Sequence, residues 1–212
     1  RASVTVTTSW NNKGYSAKAN QEGYWKVMVK TPAASFTPYK VTVSDGKKIT
    51  FNNVLIGEVW VCSGQSNMEM PMSGWTGQPI ANGPEDILNS TNFGIRCYTM
   101  KRASKADPQN LCEGSWDVAD VETTPKFTAT GYYFARLLNR VLNVPIGLIH
   151  TSWGGSRIEA WMTKESLKDI PEKKIPQTDA DIKVENGTPT VLYNGMLHPI
   201  VGYGMRGAIW YQ

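Results

Sequence analysis

Three cysteines, two histidines and five phenylalanines in 212 residues leave little room for several common chemistries. The cysteines at 62, 97 and 112 have neither C-x-x-C spacing nor a neighbouring histidine pair, so no metal site of the zinc kind is expected. No apolar run reaches the roughly 18 residues that a membrane-spanning helix needs, so no membrane partner is expected. No basic-then-apolar leader opens the chain at Arg1, and any signal peptide is expected to have been removed before this numbering begins. Charged residues make up 19% and hydrophobic residues 41%, which excludes a disordered chain. The length is enough to bury a core without disulfide staples. No internal repeat is visible.

Strong charge is also lacking. The net charge is +4, with +5 in the first 60 residues and −1 in the rest. The lysines of the first part stand singly between aromatics and turn residues, whereas phosphate-binding surfaces cluster their cations. This is the pattern of a solvated β surface, and nucleic acid is not expected as a partner.

What is present is strand pattern first. Residues 3–10 alternate apolar and polar positions, and so do residues 23–30. Residues 39–44 run into Asp45-Gly46, a hairpin signal, and residues 48–51 return from it. Residues 1–56 are therefore read as a small all-β sandwich module. The character changes over 55–62, where LIGEVWVC is a continuous apolar run of the kind found in strands buried on both faces. Residues 95–100, 146–150 and 207–212 read as further strands. A helix is expected over 126–143, with Thr128 as N-cap, Pro145 beyond its end, and Ala129, Tyr133, Leu137, Leu138, Val141 and Leu142 lining its buried face. A short helix is expected over 161–170 with Thr163 near its start, an exposed proline-rich loop over 171–189, and a helical turn over 191–198. Alternating strands and helices place residues 57–212 in the α/β class, with a parallel sheet.

Parallel sheets carry their functional loops at the carboxyl ends of the strands. After Cys62 comes Ser63-Gly64-Gln65-Ser66-Asn67-Met68. Here Gly64 permits a tight turn that can lift the Ser66 hydroxyl out at the sheet edge. The motif is not the G-x-S-x-G elbow, because Met68 stands where the second glycine belongs. On its own the turn fits an N-cap as well as a nucleophile. After His150 comes Thr151-Ser152-Trp153-Gly154-Gly155-Ser156, whose paired glycines can aim backbone amides at an oxyanion or simply make a tight turn. Cys62 reads as a small buried hydrophobe. Cys97 and Cys112 are either bridged, which would mean an oxidising compartment, or free.

Four stretches, in order, then carry a resemblance. Residues 57–70 (GEVWVCSGQSNMEM), 146–161 (IGLIHTSWGGSRIEAW), 192–199 (LYNGMLHP) and 207–212 (GAIWYQ) resemble blocks of the sialate O-acetylesterase family within the SGNH-hydrolase superfamily. The β-module ahead of them also suits that family. The resemblance implies an SGNH, flavodoxin-like parallel sheet with helices on both faces, incomplete here. It implies Ser66 as a serine nucleophile attacking an acetyl ester, with the N–H groups of Ser66 and of Gly154 or Gly155 as oxyanion donors. A third donor, an asparagine, and the family's acid and histidine would follow Gln212, so the remaining part of the catalytic domain is an expected partner. An acetylated sugar or glycan is the expected substrate, no cofactor is implied, and the expected location is secreted or periplasmic.

Around these residues the roles are coarser. Gln65, Asn67 and His150 are candidates for touching substrate, His150 from the cleft rim. Arg157 either binds a sugar-acid carboxylate or pairs with a nearby carboxylate, and Glu159 is a further candidate for substrate contact. Trp153 and Trp161 either stack on sugar or pack in the core, and Met68, Met70 and Met72 either line an acetyl pocket or pack. His198 is read as structural. Asn89-Ser-Thr and Asn186-Gly-Thr fit glycosylation sequons. Two other functions fit the same residues: a non-catalytic glycan-binding protein on an esterase scaffold, and a deacetylase of acetylxylan-type polysaccharide.

Overall fold

A computed structural model describes residues 2–170 and 172–212, so Pro171, the first residue of the expected 171–189 loop, lies outside the described residues. The chain divides into one unit ending at Gly57 and a second running Glu58–Gln212.

In the first unit, β1 (Ser3–Thr8), β2 (Gly14–Lys18), β3 (Ser35–Ser44) and β4 (Lys48–Ile56) form one antiparallel sheet in the order β2-β1-β3-β4. Val4 and Val6 of β1 are buried. The Asp45-Gly46 hairpin forms as expected, with Gly46 at φ +121° and Ser44 paired to Lys48. Residues 23–30 differ from expectation. Their alternation is real, since Val27 and Val29 are half-buried and Met28 is 80% exposed, but their backbone joins no ladder. Alternation reports which side of an extended chain faces inward, whereas a strand also requires a backbone neighbour. A second sheet, which a sandwich requires, is not formed among the described residues of this unit.

The second unit is built on five strands in the order β7-β6-β8-β5-β9. These are β5 (Glu58–Gly64), β6 (Asn92–Met100), β7 (Gly114–Ala119), β8 (Ile146–His150) and β9 (Gly207–Tyr211). β6, β8, β5 and β9 are parallel to one another, and β7 is an antiparallel edge. The α/β class and the parallel sheet are borne out. Consecutive strand residues point to opposite cores. Cys62, Ile95, Cys97, Ile146 and Leu148 face one core, and Val61, Met100 and Ile149 face the other. Burial on both faces is why these strands read as unbroken apolar runs.

The first core is closed by α3 (Ala129–Leu142), together with Met68, Met72 and Phe127. Thr128 caps this helix as expected, its Oγ1 accepting the Gly131 N–H at 3.2 Å, and Asn143 ends it in the left-handed conformation at φ 53°. The face turned inward is not the expected one. Ala129, Gly131, Tyr132, Ala135 and Asn139 are buried, with Tyr133 and Leu138 packed partly against the core, while Leu137 and Val141 are 61% and 69% exposed. The reason is close approach. A Cβ on Gly131 would stand 3.1 Å from Cys62 Sγ and 3.3 Å from Leu148 Cδ1, so the small-residue side is the one that can sit on the sheet. A second short helix, α2 (Gly83–Leu88), is held to α3 by Asp86, which pairs with Arg136 at 2.5 Å and accepts from the Tyr133 hydroxyl at 2.7 Å. The Arg136 guanidinium, with help from Tyr133, holds the Asp86 carboxyl below its ordinary range.

The second core is closed by Ala160 and Trp161 of a 3-10 turn (Ile158–Trp161) and by Val191, Leu192, Met196 and Ile200. The helical turn expected over 191–198 is there, but as a π-helix at Tyr193–Leu197 followed by a 3-10 turn at His198–Ile200. Residues 161–170 are a succession of turns rather than a helix. Thr163 Oγ1 does accept the Ser166 N–H at 3.0 Å, but the bonds that follow reach back only three residues. No helix among the described residues is long and apolar enough to cross a membrane.

All three cysteines are free, so the Cys97–Cys112 bridge is not formed. Cys97 pairs in register with Asp117 on β7 and is fully buried, while Cys112 lies ahead of β7 with its Sγ 3.6 Å from the Tyr98 hydroxyl. Burial pushes the Cys97 thiol up to about 12 and the Cys62 thiol higher than its usual value as well. A thiol reagent such as Ellman's should therefore titrate only Cys112 in the native protein and all three thiols in denaturant. Fast reaction of a second native thiol would contradict the packing.

Candidate active site

The connection after β5 runs over the first core through Met68, Met72, Ile80 and Ile87, and the connection after β8 runs over the second through Ala160, Trp161 and Val191. β5 and β8 are adjacent, so the loops that follow them lie side by side at the carboxyl edge of the sheet. Both motifs singled out in the sequence lie there.

Gly64, the last residue of β5, has a φ of +132°, and a Cβ there would stand 2.2 Å from the Tyr211 carbonyl oxygen. Only glycine lets β9 close on β5 at this point. The same carbonyl accepts the Gln65 N–H at 2.9 Å. The turn delivers Ser66, half-buried, to the first position of the short helix α1 (Ser66–Glu69), with Asn67 exposed beside it. The Ser66 hydroxyl makes no hydrogen bond among the described residues.

The loop after β8 is stitched to β5. The Thr151 N–H donates to the Cys62 carbonyl at 2.9 Å and the Trp153 N–H to the Gly64 carbonyl at 3.1 Å. This brings Gly154 against the serine, since a Cβ on Gly154 would lie 3.7 Å from Ser66 Cβ. The two glycines then differ in availability. The Gly154 N–H is already given to the Glu69 carboxylate, whose other oxygen pairs with Arg102, and the Arg102 guanidinium lies 5.0 Å over the Trp153 ring. The Gly154 carbonyl accepts from Asn186 Nδ2 at 2.8 Å. The Gly155 N–H and the Ser66 N–H remain unbonded among the described residues.

The coarser candidates scatter. Gln65 is tied down, its Nε2 donating to the Ser156 carbonyl, which also accepts from Gln212 Nε2 at 3.0 Å. His150 is buried beneath the loop rather than on the rim, with its Nε2 2.5 Å from the Ser152 hydroxyl and its Nδ1 without a partner. Burial, with the nearby Arg102 charge adding to it, pushes its imidazole down to about 4. Glu159 is half-buried and pairs with Lys173 at 2.5 Å rather than with Arg157; Lys173 holds the Glu159 carboxyl below its ordinary range. Arg157 is exposed and makes no ion pair among the described residues. Arg157 and Glu159 line an open cleft of about 620 Å³ against residues 172–189, and Ser66 is not among its walls.

Met68 and Met72 are core residues, each 1% exposed. Trp161 is buried, with its Nε1 donating to Ser156 Oγ at 2.8 Å. His198 is structural, with Nδ1 2.7 Å from the Gln109 carbonyl oxygen. Glu69, Arg102 and Asn186 were missed. The only sequence signal for Glu69 is its place one turn after Ser66, and Arg102 and Asn186 have none.

A parallel sheet with a serine turn and a glycine turn side by side at the carboxyl ends of neighbouring strands is that of an SGNH-like α/β fold. The family model described as carbohydrate esterase, sialic acid-specific acetylesterase, matches residues 56–212, and the chain belongs to that family. It is 32% identical to the sialate O-acetylesterases of Pongo abelii and Homo sapiens, in each case over the whole of this chain and 43% of theirs. A carbohydrate acetylesterase structure from Xanthomonas citri superposes with a TM-score of 0.86 at 35% identity, covering all of this chain and 45% of that one. The chain thus spans less than half the length of these relatives. The resemblance read from the four sequence blocks is borne out.

Two outcomes are expected from this geometry. Gly64→Ala should destabilise the protein by about 2–4 kcal/mol in urea denaturation, because it forces a side chain into both a positive φ and the Tyr211 backbone. The depressed His150 value gives a pH window. The unfolded chain takes up the imidazole proton below its ordinary 6.5, and the folded chain does not until about 4. Stability should therefore fall as pH drops through that interval, by at most about 1.4 kcal/mol per pH unit. Urea melts at several pH values should show a flatter dependence for His150→Gln.

Proposed function

We propose that this chain carries the nucleophile half of a carbohydrate O-acetylesterase, with sialate O-acetyl groups as the substrate class and Ser66 as the serine nucleophile. The observation that carries the reading is the approach of the Gly154 turn after β8 to Ser66 after β5, in a chain whose family is named for acetylester cleavage. The reaction is a two-step acyl transfer. Ser66 Oγ attacks the acetyl carbonyl, its proton passing to a base, and the sugar hydroxyl leaves as the acetyl-enzyme forms. Water then attacks the acetyl carbon, acetate departs, and Oγ recovers a proton.

The free N–H groups of Ser66 and Gly155 suit the oxyanion that develops in each step. Loss of one such donor typically costs about 10²–10³-fold in rate. The Gly154 N–H, expected from sequence as an alternative donor, has the Glu69 carboxylate as its partner and takes no part in this reading.

Neither histidine of the chain partners Ser66, since His150 is bound to Ser152 and His198 to Gln109. A serine without a base is a weak nucleophile at neutral pH. The base is therefore sought outside these two residues, and the assay belongs to the full-length protein. That protein should release acetate from O-acetylated sialic acid and from p-nitrophenyl acetate, and Ser66→Ala should abolish both. Acetate release by Ser66→Ala at the wild-type rate would overturn the assignment. Glycan retention without any acetate release, unchanged by Ser66→Ala, would favour a binding protein instead. Faster turnover of acetylated xylan than of acetylated sialic acid would shift the substrate class.

A further inference from the structure

One side chain joins the three loops that follow β5, β6 and β8. Glu69 leaves α1 one turn after Ser66, and its Oε2 accepts the Gly154 N–H while its Oε1 pairs with Arg102 Nη2. Arg102 comes from the loop after β6 and lies over Trp153, the residue before the glycine turn. The Glu69 side chain is only 22% exposed, so this carboxylate is largely shielded and has Arg102 as its counter-charge. Gly154 is shaped to this contact, because a Cβ there would stand 2.6 Å from Glu69 Oε2.

The glycine turn is thereby held from both sides. Glu69 fixes the N–H of Gly154, and Asn186 Nδ2 holds its carbonyl at 2.8 Å. That carbonyl belongs to the same planar peptide as the Gly155 N–H, and in a trans peptide the N–H points away from the C=O. Fixing one end aims the other, and the N–H so aimed is one that the structure leaves unbonded.

We propose that Glu69, neutralised by Arg102, is a positioning residue for acyl transfer. It sets the glycine turn against Ser66 and so aims the Gly155 N–H at the acyl oxygen. The proposal rests on the reading of Ser66 as nucleophile. It also assigns Arg102 a role of its own. A carboxylate beside a developing oxyanion opposes the reaction through like-charge repulsion, and Arg102 cancels that charge.

The test is steady-state kinetics of the full-length protein on p-nitrophenyl acetate, with melting temperatures measured in parallel. Glu69→Ala should lower kcat about 10²-fold with KM nearly unchanged, because a turn displaced by an ångström misplaces its donor. Glu69→Gln keeps an acceptor for the Gly154 N–H and should stay within about tenfold of wild type. Arg102→Met leaves a bare carboxylate and should fall about 10²-fold, whereas Arg102→Lys keeps the charge and should lose only about threefold. Adding Glu69→Gln to Arg102→Met should restore kcat to the level of Glu69→Gln alone, a coupling that loss of stability does not produce.

Unchanged kcat in Glu69→Ala, or additive losses in the double variant, would overturn the proposal. So would kcat deficits that vanish well below each variant's melting temperature. Should Glu69→Ala not fold, Glu69→Gln, Arg102→Met and their combination decide the matter. Retained activity in Ser66→Ala would instead bring down the reading of the site on which the proposal stands.

Discussion

Gly64 has no side chain, and the Tyr211 carbonyl occupies the space where one would begin. The contact joins the end of β5 to the end of β9 and fixes where the chain turns out of the sheet. From it follow the Gln65 N–H bond to the same carbonyl, the start of α1 at Ser66, and the closing of Gln65 and Gln212 on the Ser156 carbonyl. The backbone contact of Gly64 with Tyr211 therefore anchors the serine turn, and the Gln65 side chain adds to it. A side chain can change rotamer, whereas a carbonyl in a strand ladder moves only if the strand moves.

Charge at this edge of the sheet is arranged in the same spirit. Arg102 faces both Glu69 and the buried His150, and it helps to keep that imidazole neutral. His150 Nε2 and the Ser152 hydroxyl share a hydrogen bond inside the loop that ends in the glycine pair. An aspartate or glutamate in place of His150 would add a second acid around one arginine. A neutral imidazole fills the space without competing with Glu69 for it.

How much of this was legible depends on what each element had to bury. β5, β6 and β8 were legible because both faces are covered, which forces apolar residues at consecutive positions. β7 was not, since its first three residues, Gly114 to Trp116, are exposed and leave no periodic signal. α3 was found with its cap, but its inward face was misread. Counting apolar residues favours Leu137, Val141 and Leu142, whereas contact with the sheet selects Gly131 and Ala135 for their small size. Residues 23–30 carried the alternation of a strand but join no β-ladder. At the site, Ser66 and the glycine pair were visible as turns after strands. Arg102 is invisible in the sequence because its partner Glu69 belongs to another loop, and the fold alone brings them together.

The pairing of Gly64 with Tyr211 also bears on how the chain acquires its shape. β5 is made early and needs β8 and β9 as flanking strands, both encoded far downstream. Such non-local parallel contacts form slowly and leave apolar edges uncovered meanwhile. On a ribosome, the turn that presents Ser66 cannot close until Tyr211 has cleared the exit tunnel. Ser66 is therefore among the earlier residues of the second unit to be synthesised and among the last to be set in place.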